Sequence, residues 1–267
     1  MLVAVLQTTS TDDVAANLAE ARKLVAEAAE RGAKLAALPE NFAFLRPEGA
    51  PIPCAQGLDG EIVGTLCELA RAHGLWILGG TFPEHIPGSD RVHNTSVLVS
   101  AAGELAAVYR KIHLFDVDLR ASGGRAYTES QTIAPGSEPV VAETPFGGLG
   151  LSICYDLRFP ELYRTLAARG ARFLAVPSAF TPETGKDHWE VLLRARAIEN
   201  QCFVLAPAQC GRHSAERRSH GRSLIVDPWG LVLAQAADRP GVITAECHLE
   251  DQDRVRAALP VLLHRRL

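Results

Sequence analysis

The chain has 267 residues, 47% of them apolar and 22% charged, the balance of an ordinary globular protein with ample material for a core. A formal net charge of −4 gives no electrostatic reason to expect nucleic acid or an anionic membrane as a partner. No apolar run approaches the roughly 20 residues needed to cross a bilayer, and Leu2–Leu6 lacks the basic flank and the length of a signal peptide. Six cysteines (54, 67, 154, 202, 210 and 247) are scattered with no Cys-x-x-Cys pair, which reads as free thiols in a reducing compartment. Asn94-Thr95-Ser96 has the form of a glycosylation sequon, but a cytoplasmic chain never meets the machinery. The expectation is a soluble, cytoplasmic protein.

In chain order, residues 2–7 read as a buried strand. Asp12 or Asp13 starts a long Ala-rich helix with Leu18, Ala21, Leu24, Val25 and Ala28 on one face, and Gly32 ends it. Residues 34–38 form a second strand closed by Pro39, and a loop rich in Pro and Gly spans 41–60. A helix over 61–73 ends at His73-Gly74, and a strand follows over 75–82. This β-α-β-α-β order predicts an α/β sheet with helices packed on it. Residues 95–100 and 105–109 flank Ala101-Ala102-Gly103-Glu104 as a β-hairpin. The long segment 111–136 carries Phe115, Tyr127 and several charges, and loops of this length inside compact domains are often functional.

The second half repeats the pattern. Strands are expected near 149–153, 173–176, 203–206, 222–226, 231–235 and 242–247, with helices after Cys154 to Arg169 and over 186–200. Asp227-Pro228-Trp229-Gly230 is a turn with Pro at its second position and Gly at its fourth. No linker separates the halves, so one domain over 1–267 is expected, its apolar and basic tail (250–267) docking on the body or on a partner chain.

The stretch Gly147–Arg164 is the most informative. Leu149–Ile153 suits a strand packed on both faces, and Pro160 suits the first turn of a helix. Cys154 falls at the junction, where nearby helix N–H groups favour thiolate over thiol. The same residue type also caps strands as a small buried apolar group. Two further strand ends carry charge: Glu40 follows 34–38, and Lys111 follows the hairpin. Each alone is ordinary. Together they supply a carboxylate, an ammonium and a thiol at three strand termini, where α/β sites collect.

Leu-Pro-Glu-Asn-Phe (38–42), Tyr-Arg-Lys-Ile-His-Leu-Phe-Asp (109–116) and Ser-Ile-Cys-Tyr-Asp-Leu-Arg-Phe-Pro-Glu-Leu (152–162) resemble, in order, the three catalytic motifs of the nitrilase (carbon–nitrogen hydrolase) superfamily. The resemblance runs from Val3 to Gly230. It implies an αββα sandwich of two stacked sheets flanked by helices, a homodimer, a small-molecule amide as substrate, and no cofactor or metal. It also implies Cys154 as nucleophile, Glu40 as general base and Lys111 as oxyanion stabiliser with the Tyr155 N–H. Glu129 resembles a second glutamate that positions Lys111 or the substrate, and Arg158, Phe180 and Arg212 are expected to border the substrate. The thiolate would attack an amide carbonyl, Glu40 would protonate the leaving amine, and water would hydrolyse the thioester. Residues 177–180, 188–199, 208–213 and the tail resemble the branch that hydrolyses deaminated glutathione. Thr181–Asp187 and Arg222 depart from that branch.

Other readings fare worse. Cys202, Cys210 and His213 match no common zinc spacing. A Cys-His protease using His113 or His188 leaves Glu40 and Lys111 without a purpose. Gly148-Leu149-Gly150 lacks the third glycine of a dinucleotide loop, since Ile153 stands there. The basic residues 212–222 suit a solvated loop or an anionic substrate better than nucleic acid. An inactive interaction protein on the same fold is the alternative of another class, and the intact motif positions argue against it. Nearer alternatives are an ω-amidase acting on α-keto acid amides, an aliphatic amidase or an N-carbamoyl hydrolase.

Overall fold

The computed structural model describes residues 1–266; Leu267, the last residue of the expected docking tail, lies outside the described residues. Strand Leu2–Gln7 begins a seven-stranded sheet. Its order is Gly241–Glu246, Leu2–Gln7, Leu35–Ala37, Trp76–Leu78, Val92–Val99 and Phe82–His85, with Leu105–Arg110 also paired to Val92–Val99. A six-stranded sheet follows the order Val232–Gln235, Leu224–Val226, Phe203–Ala206, Ala171–Ala175, Gly148–Leu151 and Val141–Ala142. Each sheet has a parallel trio at its centre, and strands of that kind are covered on both faces.

Residue alternation builds the layers. In the first strand Val3 and Val5 face the second sheet, packing with residues such as Leu149, Leu151 and Phe173. Ala4 and Leu6 point the other way, into a separate cluster with Leu18, Leu24 and Val25 of helix Val14–Glu30 and Ile62 and Leu66 of helix Glu61–His73. The second sheet carries helices Pro160–Ala168 and Pro182–Asn200 on its outer side, through Leu162, Leu166, Trp189 and Leu193. The result is the expected α/β fold, an αββα sandwich.

Helix ends follow local chemistry. The Asp13 carboxylate accepts the Ala16 N–H to cap the first helix, and Gly74 closes the second in the left-handed conformation at φ 61°. Several boundaries differ from expectation. The strand expected over 75–82 breaks after Leu78, because Gly80 turns at φ 47° with the Pro39 carbonyl where a Cβ would stand. Segment 111–136 holds a small ribbon, Asp116–Asp118 paired with Ala126–Thr128, and short 3-10 turns. The helix expected from 186 starts at Pro182, so most of the divergent segment 181–187 is its first turns. Arg222 sits at φ 58° with its guanidinium 3.2 Å from Asp238 on the surface, and it gives only its carbonyl to the Trp189 indole.

The tail forms helix Leu249–Ala258, which docks on the body of the same chain. Gln252 is fully buried and donates to the carbonyls of Arg172 (2.9 Å) and Gln201 (2.8 Å). No helix among the described residues is long and apolar enough to cross a membrane.

Candidate active site

The parallel strands aim their C-terminal ends at one side of the sandwich, and a pocket of about 920 Å³, its open mouth included, lies there. Glu40 lies three residues past strand Leu35–Ala37, and Lys111 directly follows Leu105–Arg110. Cys154 follows Gly148–Leu151 after Ser152 and Ile153. It opens a 3-10 turn, Cys154–Arg158, and the α-helix begins only at Pro160. Cys154 has φ 48°, a conformation uncommon outside glycine that costs on the order of 1–3 kcal/mol and clusters at functional sites. Its N–H is held by the Pro177 carbonyl at 2.9 Å.

Lys111 is the electrostatic hub. Its ammonium donates to Glu40 Oε1 (3.0 Å) and to both oxygens of Glu129 (3.0 and 2.9 Å), with Lys111 and Glu40 almost wholly buried. Burial alone would lower its pKa, but Glu129 and then Glu40 outweigh it and hold the ammonium well above its ordinary value. Glu40 is fixed on its other lone pairs by the Asn94 amide and the Ala179 N–H, both at 2.9 Å. Glu129 accepts the Phe115 N–H at 2.6 Å. Two carboxylates against one ammonium leave this buried group negative before any thiol ionises.

That charge balance corrects the expectation of a favoured thiolate. Burial first, and then the charge of Glu40, push the Cys154 thiol well above its ordinary value, against the opposing pull of Lys111. The α-helix starts too far along the chain to help. At rest Cys154 is a thiol beside a carboxylate.

Tyr155, Arg158 and Phe180 line the same pocket. Among the described residues no acceptor takes the Tyr155 N–H. The Arg158 guanidinium stands 5.4 Å from the Phe180 ring centre and 5.8 Å from that of Tyr155. Arg212 does not join them. It is exposed, and its guanidinium folds back onto the carbonyls of Ser214 and Ala215 within its own hairpin loop. Arg46, Glu48 and Arg217 line the pocket instead. His213 is buried between the Ser10 carbonyl and the Ser219 hydroxyl, each at 2.9 Å, and burial brings it down to about 4. Among the described residues no group of three or more His, Cys, Asp or Glu is arranged to hold a metal ion.

Three buried residues escaped sequence reasoning. Asn94, read as part of a sequon, bridges Glu40 and, at 3.5 Å, Glu129. Gln209 donates to the Glu40 carbonyl at 3.0 Å and accepts from Ser10 N–H and Thr8 Oγ1, tying the two sheets together behind Glu40. Asp156 accepts Tyr109 OH (2.7 Å) and Ile153 N–H (2.9 Å) on one oxygen, and His113 N–H (3.0 Å) and Nδ1 (2.7 Å) on the other. It clamps the cysteine turn to the strand end that bears Lys111. The only signals for these were membership in the motif around Cys154, which covers Asp156, and in the stretch 208–213, which covers Gln209 without pointing to its role.

Two stacked sheets with a thiol, two carboxylates and an ammonium gathered at their strand ends are the frame of a hydrolase that acts on carbon–nitrogen bonds. The family described as carbon-nitrogen hydrolase matches residues 2–257, and the chain belongs to that family, within the nitrilase superfamily. Over 267 aligned residues it is 46% identical to the deaminated glutathione amidase of Synechocystis sp., covering 99% of this chain and 97% of that one. The crystal structure of the Caenorhabditis elegans NitFhit protein is similar at a TM-score of 0.91 and 40% identity, over 99% of this chain; the chain spans 65% of that longer protein. Saccharomyces cerevisiae Nit3, a member of branch 10 of the superfamily, is similar at a TM-score of 0.87 and 32% identity, over 100% of this chain and 97% of that one.

Proposed function

We propose that the chain is a single-domain amidase that hydrolyses deaminated glutathione to 2-oxoglutarate and cysteinylglycine through a thioester on Cys154. The observation that carries this reading is the near full-length 46% identity to an amidase named for that substrate. In the first half-reaction the Cys154 sulfur attacks the amide carbonyl while Glu40 takes its proton, which the buried, neutral thiol requires. Negative charge develops on the carbonyl oxygen, where the Lys111 ammonium and the free Tyr155 N–H are the stabilising donors. Glu40 passes its proton to the leaving amine as the C–N bond breaks. Water then enters, loses a proton to Glu40 and attacks the thioester, releasing the acid and restoring the thiol. Glu129 holds Lys111 in place through both carboxylate oxygens.

The same reading includes a cytoplasmic homodimer. All six cysteines are free, which suits a reducing compartment. Val191 and Ile198, one side of helix Pro182–Asn200, are exposed, as are Trp229 and Leu231 of the adjoining turn, where Gly230 packs on Ile198. Exposed large apolar side chains of this kind suit a second copy of the chain, and light scattering behind a sizing column tests it.

Purified enzyme given deaminated glutathione and 2-oxoglutaramate under identical conditions decides the substrate. The expected outcome is a higher kcat/KM for deaminated glutathione, with cysteinylglycine as product. Faster hydrolysis of 2-oxoglutaramate with release of ammonia would make the protein an ω-amidase, and no hydrolysis of either would leave an aliphatic amidase, an N-carbamoyl hydrolase or an inactive scaffold.

A further inference from the structure

Beyond the Cys154–Glu40–Lys111–Glu129 group, the pocket carries three guanidinium groups, Arg46, Arg158 and Arg217, and one more carboxylate, Glu48. They fall into two places, and among the described residues no hydrogen bond or ion pair joins them. Arg158 stands on the turn that bears Cys154, against Tyr155, Phe180 and His188. Arg46 and Arg217 come from two different loops. Arg217 donates to the Arg46 carbonyl at 2.9 Å and stands 3.8 Å from Glu48, while Arg46 donates to Thr132 Oγ1 at 2.7 Å and to the Ala50 carbonyl. Burial, and the neighbouring Arg217, hold Arg46 below its ordinary value against the pull of Glu48. Glu48 and Glu129 both act on Arg46, yet the pocket lining holds Arg46, Arg158, Arg217 and Lys111 against Glu40, Glu48 and Glu129 and so keeps a surplus of positive charge, and the Arg217 side chain remains 24% exposed.

We propose that Arg46 and Arg217 form a carboxylate subsite that takes the free C-terminal carboxylate of a peptide leaving group. The proposal rests on the amidase reading above. An amide of deaminated glutathione's kind has a carboxylate at each end, and the pocket has two separate cationic places for them. The acyl end must lie against Cys154, so the leaving peptide extends outward, to the place where two loops present their guanidinium groups. A carboxylate met by two such forks is a charge-assisted, orientation-specific contact.

The test compares deaminated glutathione with its C-terminal glycinamide, which differs only in the carboxylate. In the wild-type enzyme the free acid should have a kcat/KM about ten- to a hundredfold higher, carried by KM. In Arg217→Gln that ratio should fall toward one, and Arg217→Lys should keep an intermediate ratio. A ratio near one in the wild type, or one undiminished in Arg217→Gln, would overturn the subsite while leaving the amidase reading intact. A wild-type enzyme that cleaves neither peptide, whether or not it cleaves 2-oxoglutaramate, overturns the substrate reading and the subsite with it.

Discussion

Asp156→Asn offers the sharpest test of how the site is held together. The carboxylate is fully buried and accepts four hydrogen bonds, two on each oxygen. An asparagine fits the space but keeps one acceptor, so its NH2 group must face one pair of donors. The Tyr109 hydroxyl can turn and the His113 ring can change tautomer, whereas the backbone N–H of Ile153 or of His113 cannot adjust. One buried N–H is then orphaned at about 1–3 kcal/mol, and the surviving bonds lose their charge assistance, for a total of about 3 kcal/mol. For a chain of this size that corresponds to a fall in Tm of about 6–12 °C. Ile153 precedes Cys154, and His113 lies two residues past Lys111, so loosening Asp156 also loosens the distance between sulfur and ammonium. A displacement of an ångström at such a site costs about a hundredfold in rate, and kcat should fall with KM little changed. Calorimetry, with turnover measured well below the new Tm, gives both numbers. A Tm within about 2 °C of wild type together with an unchanged kcat would refute the clamp.

Cys154→Ala should fold and lack turnover, while Glu40→Gln and Lys111→Ala should each lower kcat by about a thousandfold or more, with effects far from additive in double mutants; multiplying effects would mean that these groups act separately. Glu129→Gln should cost only about tenfold, since Lys111 keeps its bond to Glu40. The Cys154 thiolate, read at 240 nm as the difference from Cys154→Ala, should form only above the range of an ordinary thiol, and in Glu40→Gln it should form at lower pH because a neighbouring negative charge is gone; a wild-type thiolate at neutral pH would contradict the charge balance drawn from the structure. His213 gives a pH signature. The unfolded imidazole binds its proton as pH falls through about 6.5, the folded one only near 4, so the unfolded state holds more protons in between and stability declines as pH drops across that window. The loss amounts to about 3 kcal/mol by pH 4, and Tm measured from pH 7 to 4.5 should fall less steeply in His213→Gln than in wild type.

Much of the frame was legible in the chain because its causes are local. The strand at 2–7, the helix face of Leu18, Ala21, Leu24, Val25 and Ala28, and the stop at Gly74 follow from alternation, from a 3.6-residue period and from one glycine's freedom to turn left. The same locality made the α/β order readable, whereas the αββα stacking was implied only by the resemblance of the motifs, and it let Glu40, Lys111 and Cys154 be recognised as three strand-end groups with motifs around them. Where the pattern misled, a distant contact had intervened. The strand expected to 82 ends early because Gly80 must fit against the Pro39 carbonyl, and Asn94 has the spelling of a sequon although its amide is buried between two glutamates.

What only the tertiary structure decided was the company each side chain keeps. Arg212 and Arg217 are five apart on one hairpin and look alike in the sequence, yet one folds back onto its own loop and the other lines the pocket. The thiol state of Cys154 turned on the same point. Read along the chain, the cysteine stands before a helix and promises a thiolate; in space it lies buried beside Glu40, whose charge outweighs that of Lys111 at the sulfur. Periodicity depends on neighbours a few residues away, and so a sequence can display it. A pKa depends on the sum of charges and lost water within a few ångströms, and here the charges come from Glu40 and Lys111, both far along the chain from Cys154 and on the other sheet, brought to it only when the two sheets stack.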